Sequence, residues 1–318
     1  KNKGIIAERF DAYHHGGTWK PKTNIKRWVI RPIPDIGTQS AQIMAGNLDL
    51  IRAASDDQAR SLAKDPNFKL TYNQGLGYTY ILFDSKGRTS KKELQDIRVR
   101  KAILMAIDRK TLQKLYAGGT TVYQPEAMCY RFQQGCDYSA PLPPYDPAAA
   151  KKLLAKAGYG DGFNVEVTTF VGRTGRVAQA MAGQLRAIGV KVRLDSRTVG
   201  SYRKKQRQGK IQILAAGWGA GGVPDIQGTV RAFIHPPKSP RDYIGDKALF
   251  GMARKANAEI DPAKRKTLAR KLFDRLTTQA YAVPLIASSI AFVHSKDVKI
   301  AKGSYNPYGA YMSDFSWK

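Results

Sequence analysis

Two cysteines, four histidines and 25 carboxylates are the side chains here best suited to covalent, metal or acid–base chemistry. Cys129 and Cys136 bound the loop-like run Cys129-Tyr130-Arg131-Phe132-Gln133-Gln134-Gly135-Cys136, with no histidine close by. A metal site would need more ligands nearby, and a catalytic thiol would need a histidine and an activating environment. The run reads as a loop pinned by a local disulfide, which implies an oxidising compartment. His14 and His15 are adjacent, a spacing that rarely puts both rings on one ion. The chain has no Gly-x-Ser-x-Gly elbow, no His-Glu-x-x-His and no phosphate-binding loop. No catalytic residue, metal ligand or cofactor is expected and an enzyme finds no motif here, while a pair of carboxylates brought together by folding stays open, since sequence does not show proximity.

Its binding chemistry is aromatic. Trp218 follows a buried-looking strand and stands between Gly217 and Gly219, which allow close backbone approach to a ligand. A core tryptophan would fit the same pattern. Tyr78 and Tyr80 share one face of a strand by two-residue alternation, and that face can meet either a cleft or the core. The run Gly219-Ala220-Gly221-Gly222 is a close-approach loop, and Gly219 and Gly221 join Trp218, Tyr78 and Tyr80 as candidate ligand contacts. Asp225 is expected to cap a helix beginning near Ile226.

The elements that must hold these residues are strands and helices in alternation. Strands are predicted over 28–33, 48–51, 78–84, 163–171, 190–194, 211–216, 282–287 and 290–294. Helices are predicted over 38–45, 56–63, 109–116, 147–158, 176–188, 201–208, 247–258 and 262–279. The run from Asp96 to Arg109 is an amphipathic helix: Asp96 caps it, Ile97, Ile103 and Ile107 share an apolar face, and the arginines lie on the other. Such alternation implies βαβ units and a mixed or parallel sheet.

With 318 residues, 42% of them hydrophobic, the chain can build more than one domain. No apolar run reaches the length of a membrane span. The start carries no signal-peptide pattern, a feature that a mature or trimmed chain also lacks. The net charge is +28, from 53 Lys+Arg against 25 Asp+Glu. Such a charge favours acidic partners: nucleic acid, an anionic membrane surface or an anionic ligand. The basic residues are spread along the whole chain and no nucleic-acid-binding motif stands out, so a general surface property is favoured over nucleic-acid binding.

The run Asp96-Ile97-Arg98-Val99-Arg100-Lys101-Ala102-Ile103-Leu104-Met105-Ala106-Ile107-Asp108-Arg109 resembles the signature of one family, the solute-binding proteins of peptide/nickel-type ABC importers. Other pieces agree in order and spacing. Tyr13-His14-His15-Gly16-Gly17 leading to Lys20-Pro21 resembles its Y-W-x-G-x-P turn, and Arg31-Pro32-Ile33-Pro34-Asp35 its R-x-I-P-D. Tyr80-Ile81-Leu82-Phe83-Asp84 resembles its Y-x-x-F-N strand, with Asp for Asn. Tyr145-Asp146-Pro147 through Ala157-Gly158-Tyr159 resembles Y-D-P-x-x-A-x-x-L-L-x-x-A-G-Y, and Gly217-Trp218-Gly219 with Pro224-Asp225 resembles the G-W … D-P-D pocket turn.

The resemblance implies an α/β fold of the two-lobe, periplasmic-binding-protein type (cluster C), with mixed sheets flanked by helices and a hinge between the lobes. Residues 1–83 would be part of lobe I, 84–289 lobe II, and 290–318 the return to lobe I. It implies a periplasmic or membrane-associated extracytoplasmic protein. That protein would capture a peptide-like, opine-like or sugar-like solute in an interlobe cleft and deliver it to ABC-transporter permease subunits. Family members are larger, so the resemblance also implies an N-terminal segment of the same protein as a partner. Two departures bear on the solute. Peptide-binding members carry a carboxylate just after the Gly-Trp pair, and some carry an arginine just before it. Here Gly219-Ala220-Gly221-Gly222 and Leu214-Ala215-Ala216 stand there, which disfavours a free peptide held by its termini. The alternative from another class is a cationic surface-binding protein for nucleic acid or anionic membrane.

Overall fold

The computed structural model describes residues 4–12, 23–53, 55–117, 123–219, 224–301 and 312–318. The chain divides into a smaller unit of residues 1–75 and 289–318 and a larger unit of residues 76–288.

The smaller unit opens with β1 (Ile5–Glu8) and β2 (Arg27–Ile30), paired antiparallel with Ile5 opposite Ile30. Then come α1 (Ile36–Met44), β3 (Leu50–Arg52), α2 (Asp56–Leu62) and the long strand β4 (Phe68–Phe83), which continues into the larger unit. Helix α1 starts two residues before the expected position because the Asp35 carboxylate accepts the Thr38 amide at 2.7 Å.

The larger unit holds α3 (Ile97–Met105), α4 (Arg109–Tyr116), α5 (Pro147–Lys156), β5 (Phe163–Phe170), α6 (Arg173–Arg186), β6 (Val190–Arg197) and α7 (Val199–Arg207). It continues with β7 (Ile213–Trp218), α8 (Ile226–Phe233), α9 (Lys247–Ala258), α10 (Pro262–Thr278) and the start of β8 (Ala282–Ser295). Aspartates cap α3, α4, α5, α8, α9 and α10, each taking an amide of the first turn; α5 and α10 add proline at their first position. In the smaller unit β9 (Val298–Ile300) and β10 (Phe315–Trp317) then pair antiparallel.

The main sheet has the order β3-β8-β4-β7-β5-β6. It is mixed: β5 runs parallel to β6 and β7, whereas β7 is antiparallel to β4 and β3 to β8. Two-residue alternation splits the larger unit into two cores, one on each face. Ile81, Phe83, Ile213 and Ala215 join Val99, Ile103, Leu112 and Met181 in one. Tyr78, Tyr80, Leu82, Leu214 and Ala216 join Phe233, Leu249, Leu272 and Phe273 in the other.

Two strands differ from expectation for one reason. The expected strand over 78–84 begins ten residues earlier, at Phe68, and the expected strands over 282–287 and 290–294 are a single β8. Each of these strands serves a core of the larger unit along one part and a core of the smaller unit along the other. The apolar alternation therefore resets at Asn73-Gln74-Gly75 and at Ser288-Ser289. These polar runs read as breaks, but the backbone continues through them. The units accordingly divide at 75/76 and 288/289, where the sequence placed the boundaries at 83/84 and 289/290. The last residues of β4 pair with β7 and so belong to the larger unit. Among the described residues no helix is long and apolar enough to cross a membrane, and no group of three His, Cys, Asp or Glu side chains is placed to hold a metal ion.

Candidate ligand-binding site

Trp218 ends β7, and its register partner across the sheet is Tyr78 of β4. Gly77 makes that pairing possible, because a Cβ there would overlap the Trp218 carbonyl oxygen. The indole lies 5.3 Å from the Tyr78 ring and 5.4 Å from Phe233 of α8. Phe233 also takes Tyr80 edge-on at 4.6 Å. The result is an aromatic shelf in which three rings support a fourth, each contact adding about 0.5–1.5 kcal/mol beyond burial. Trp218 is partly buried, while Gly217 and Gly219 on either side are exposed.

The two tyrosines take the core option that alternation left open. Tyr78 is 1% exposed and Tyr80 6%. The Tyr78 hydroxyl donates to the Met128 carbonyl at 2.7 Å. Burial pushes both phenols well above their ordinary pKa, so they stay neutral at physiological pH. They are the support of the shelf, and Trp218 is the ring that stays partly exposed. Sequence reasoning missed Phe233 and Tyr130. The spacing of Ile226, Val230 and Phe233 along one helical face was the available signal for the first. Gly221 and the His14-His15 turn lie outside the described residues.

Cys129 and Cys136 form the expected disulfide, and both are buried. The loop that they close lies against the shelf. The Tyr130 hydroxyl donates to the Gly77 carbonyl at 2.7 Å, and the Tyr130 ring stacks on Phe132 with centroids 4.8 Å apart. On its other side the Gln134 amide donates to the Pro224 carbonyl at 2.7 Å, and the Ile226 amide returns a bond to Gln134 at 3.1 Å. Asp225 caps α8 through the Gln227 amide at 2.7 Å, as expected, and takes both Arg265 terminal nitrogens at 2.6 Å. Burial raises the Asp225 pKa, but the Arg265 and Gln227 hydrogen bonds outweigh it and hold the carboxyl below its ordinary range.

The arginines of the Asp96–Arg109 run correct an expectation. They do not all lie on a solvated face. Arg100 is 3% exposed and donates to four carbonyls, those of Leu94 (2.8 Å), Gln95 (2.9 Å), Gln279 (2.9 Å) and Ala280 (3.2 Å). Arg109 donates to Pro284 at 2.8 Å and to the Pro125 carbonyl; burial lowers its pKa to about 10, which leaves it charged at neutral pH. A guanidinium with five donors can satisfy several buried carbonyls at once, so these positions are joints between chain segments. Lys205 is buried as well; it is held by Glu166, by Asp195 at 2.6 Å and by Thr168 at 3.1 Å, a cluster whose charges face one another.

Comparison with known proteins gives a consistent picture. The family model for bacterial extracellular solute-binding proteins, family 5 (middle), matches residues 1–240. Heme-binding protein A of Haemophilus influenzae is 28% identical over 293 residues, which cover 89% of this chain and 49% of that protein. Glutathione-binding protein GsiB of Salmonella paratyphi A is 25% identical over 309 residues, covering 92% of this chain and 58% of that protein. The periplasmic binding protein DppA of Helicobacter pylori, solved in complex with peptide STSA, matches with TM-score 0.74 at 23% identity, covering 100% of this chain and 61% of that one. The chain thus spans about half the length of the curated relatives it matches. The fold is the α/β fold of the periplasmic binding proteins.

Proposed function

The chain belongs to the bacterial extracellular solute-binding proteins, family 5, and from this we propose that it is the solute-capturing part of an ABC importer. It would act outside the cytoplasm, bind a small solute without chemical change, and pass it to permease subunits. The observation that carries this reading is the Trp218 shelf: a partly buried indole at a strand end, backed by Tyr78, Tyr80 and Phe233 and flanked by exposed glycines. Trp218, Gly219 and Gly221 are proposed as ligand contacts, with Tyr78 and Tyr80 acting through the indole.

The similar proteins differ in ligand: two are named for heme and glutathione, and a third was solved with a peptide. The run Leu214-Ala215-Ala216-Gly217-Trp218-Gly219 brings no charged side chain to the shelf. That favours a solute held by a flat face and by backbone groups: peptide-like, opine-like or sugar-like. We also propose that further polypeptide of the same protein covers the smaller unit. Ile5 and Ile6 there are 61% and 57% exposed, and a cavity of about 590 Å³ between β2, β3 and Trp317 is lined by apolar side chains together with Arg27, Arg31, Asp49 and Arg52.

Replacing Trp218 with Ala tests the site. Calorimetric titration with S-methylglutathione, a thiol-free analogue, and with peptide STSA would first find which the wild type takes. Trp218→Ala should then weaken that binding at least about tenfold while heparin binding stays unchanged. Unchanged solute affinity would overturn the site assignment. Solute binding by neither form, with tight salt-sensitive heparin binding in both, would favour the cationic-surface reading.

A further inference from the structure

We propose that the Cys129–Cys136 loop positions the Trp218 shelf and thereby sets solute affinity without touching the solute. The proposal rests on the Trp218 reading. Between its two cysteines this short loop reaches two places: β4 where Trp218 pairs with it, and the chain that enters α8 after the glycine run. On one side Tyr130 holds the Gly77 carbonyl, and Met128, next to Cys129, accepts from Tyr78. Gly77 and Tyr78 are the β4 residues against which Trp218 is registered. On the other side Gln134 exchanges bonds with Pro224 and Ile226 and forms a parallel bridge with Asp225, where the chain enters α8. That helix carries Phe233, the remaining ring of the shelf. The loop is folded on itself as well: the Gln133 side chain accepts the Tyr130 amide at 2.8 Å, and the Cys136 amide donates to the Gln133 carbonyl at 3.0 Å.

Loop length separates this role from a plain staple. Closing so short a loop removes less chain entropy from the unfolded state than closing a long one. The effect of the crosslink should therefore be concentrated locally, on the groups it holds. Tyr130 and Gln134 are positioning residues, and the disulfide keeps them in register with each other.

The test uses the 318-residue chain. Hydrogen exchange is followed in the wild type, in Cys129→Ala/Cys136→Ala and in Tyr130→Phe, which keeps the disulfide and deletes only the hydroxyl. In the double variant the amides of Gln134, Cys136 and Ile226 should exchange about tenfold faster or more, with those of β5 and β6 unchanged. The affinity for whichever probe the wild type binds, S-methylglutathione or STSA, should fall about fivefold or more, and Tyr130→Phe should move it less in the same direction. Faster exchange spread evenly over β5 and β6, or loop exchange raised with affinity unchanged, would overturn the proposal. Should the wild type bind neither probe, positioning is read from Trp218 alone. In a chain whose other three tryptophans are phenylalanine, the crosslink-free variant should show Trp218 emission more open to acrylamide; unaltered quenching would overturn positioning too. If the double variant does not fold, the same readouts on Tyr130→Phe decide.

Discussion

Arg100 and Trp218 both sit where chain segments meet, yet their surroundings are built on opposite plans. Around Arg100 a charged side chain leaves the surface and spends its donors on four backbone carbonyls, with Tyr281 under its guanidinium at 5.4 Å. Around Trp218 uncharged rings pack on one another, and the last of them stays partly exposed. A cluster whose bonding capacity is used internally has nothing to offer a solute, whereas a packed shelf with a partly exposed ring has. The most distinctive run of the sequence therefore encodes a joint, and the candidate binding surface is encoded by packing.

The largest effect that could break this contrast comes from Arg100→Met. Four carbonyls, two in buried and two in half-buried bonds, would lose their partner at once. The loss should be about 3–5 kcal/mol by urea denaturation. Arg100→Lys should recover only part of it, because an ammonium is a point donor. Solute affinity of the folded fraction should stay at the wild-type value. A loss under about 1 kcal/mol would show that the carbonyls find water instead and that Arg100 is not a joint.

How much of this could be read from the sequence depends on the range of the force that decides each feature. Helix starts are local: a capping aspartate marks α4, α5 and α10, with proline next to it in the last two, because the carboxylate acts on amides within the next turn. Trp218 between two glycines was equally legible as a candidate. The burial of Arg100 was not. Its partners Gln279 and Ala280 lie at the far end of α10, and helical periodicity carries no information about a carbonyl cluster that distant in sequence. The role of Tyr130 was hidden for the same reason, since Gly77 is remote in the chain. The full extent of β4 and β8 escaped because each of these strands changes core partway, so a single apolar alternation never spans either one.

A middle-sized effect acts on the shelf from beneath. Gly77→Ala would place a methyl against the Trp218 carbonyl and 2.9 Å from the Gly219 Cα. Neither is a flexible side chain, so β4 and β7 must part locally, at a cost of about 1–3 kcal/mol. Here stability and binding should fall together, and Trp218 emission should shift with them, in contrast to Arg100→Met. Fluorescence and titration of one preparation would check this. A variant with normal emission and normal affinity would mean that Trp218 does not depend on its β4 partner.

The smallest effect is one of pH, and it sharpens the contrast because one plan titrates and the other does not. Arg100 is held by carbonyls, which stay unprotonated at any pH the fold survives. The entry to α8, beside the shelf, is held by the Asp225 carboxylate against Arg265. Its pKa is depressed in the folded state, so its contribution is present above the ordinary carboxylate value and is lost as pH falls below about 4. Asp225→Asn should cost about 1–2 kcal/mol at pH 7 and close to nothing at pH 2, measured by urea denaturation at both. Asp96 is depressed too, chiefly by its hydrogen bond from Arg98, so acid also weakens the cap of α3. Acid should therefore reach both regions, but most of the Arg100→Met cost should survive it, because Asp96 is only a minor partner of that guanidinium, while the cost of Asp225→Asn falls away. If the Arg100→Met cost also collapsed in acid, a carboxylate rather than the carbonyls would be holding that guanidinium, and the two regions would share one plan after all.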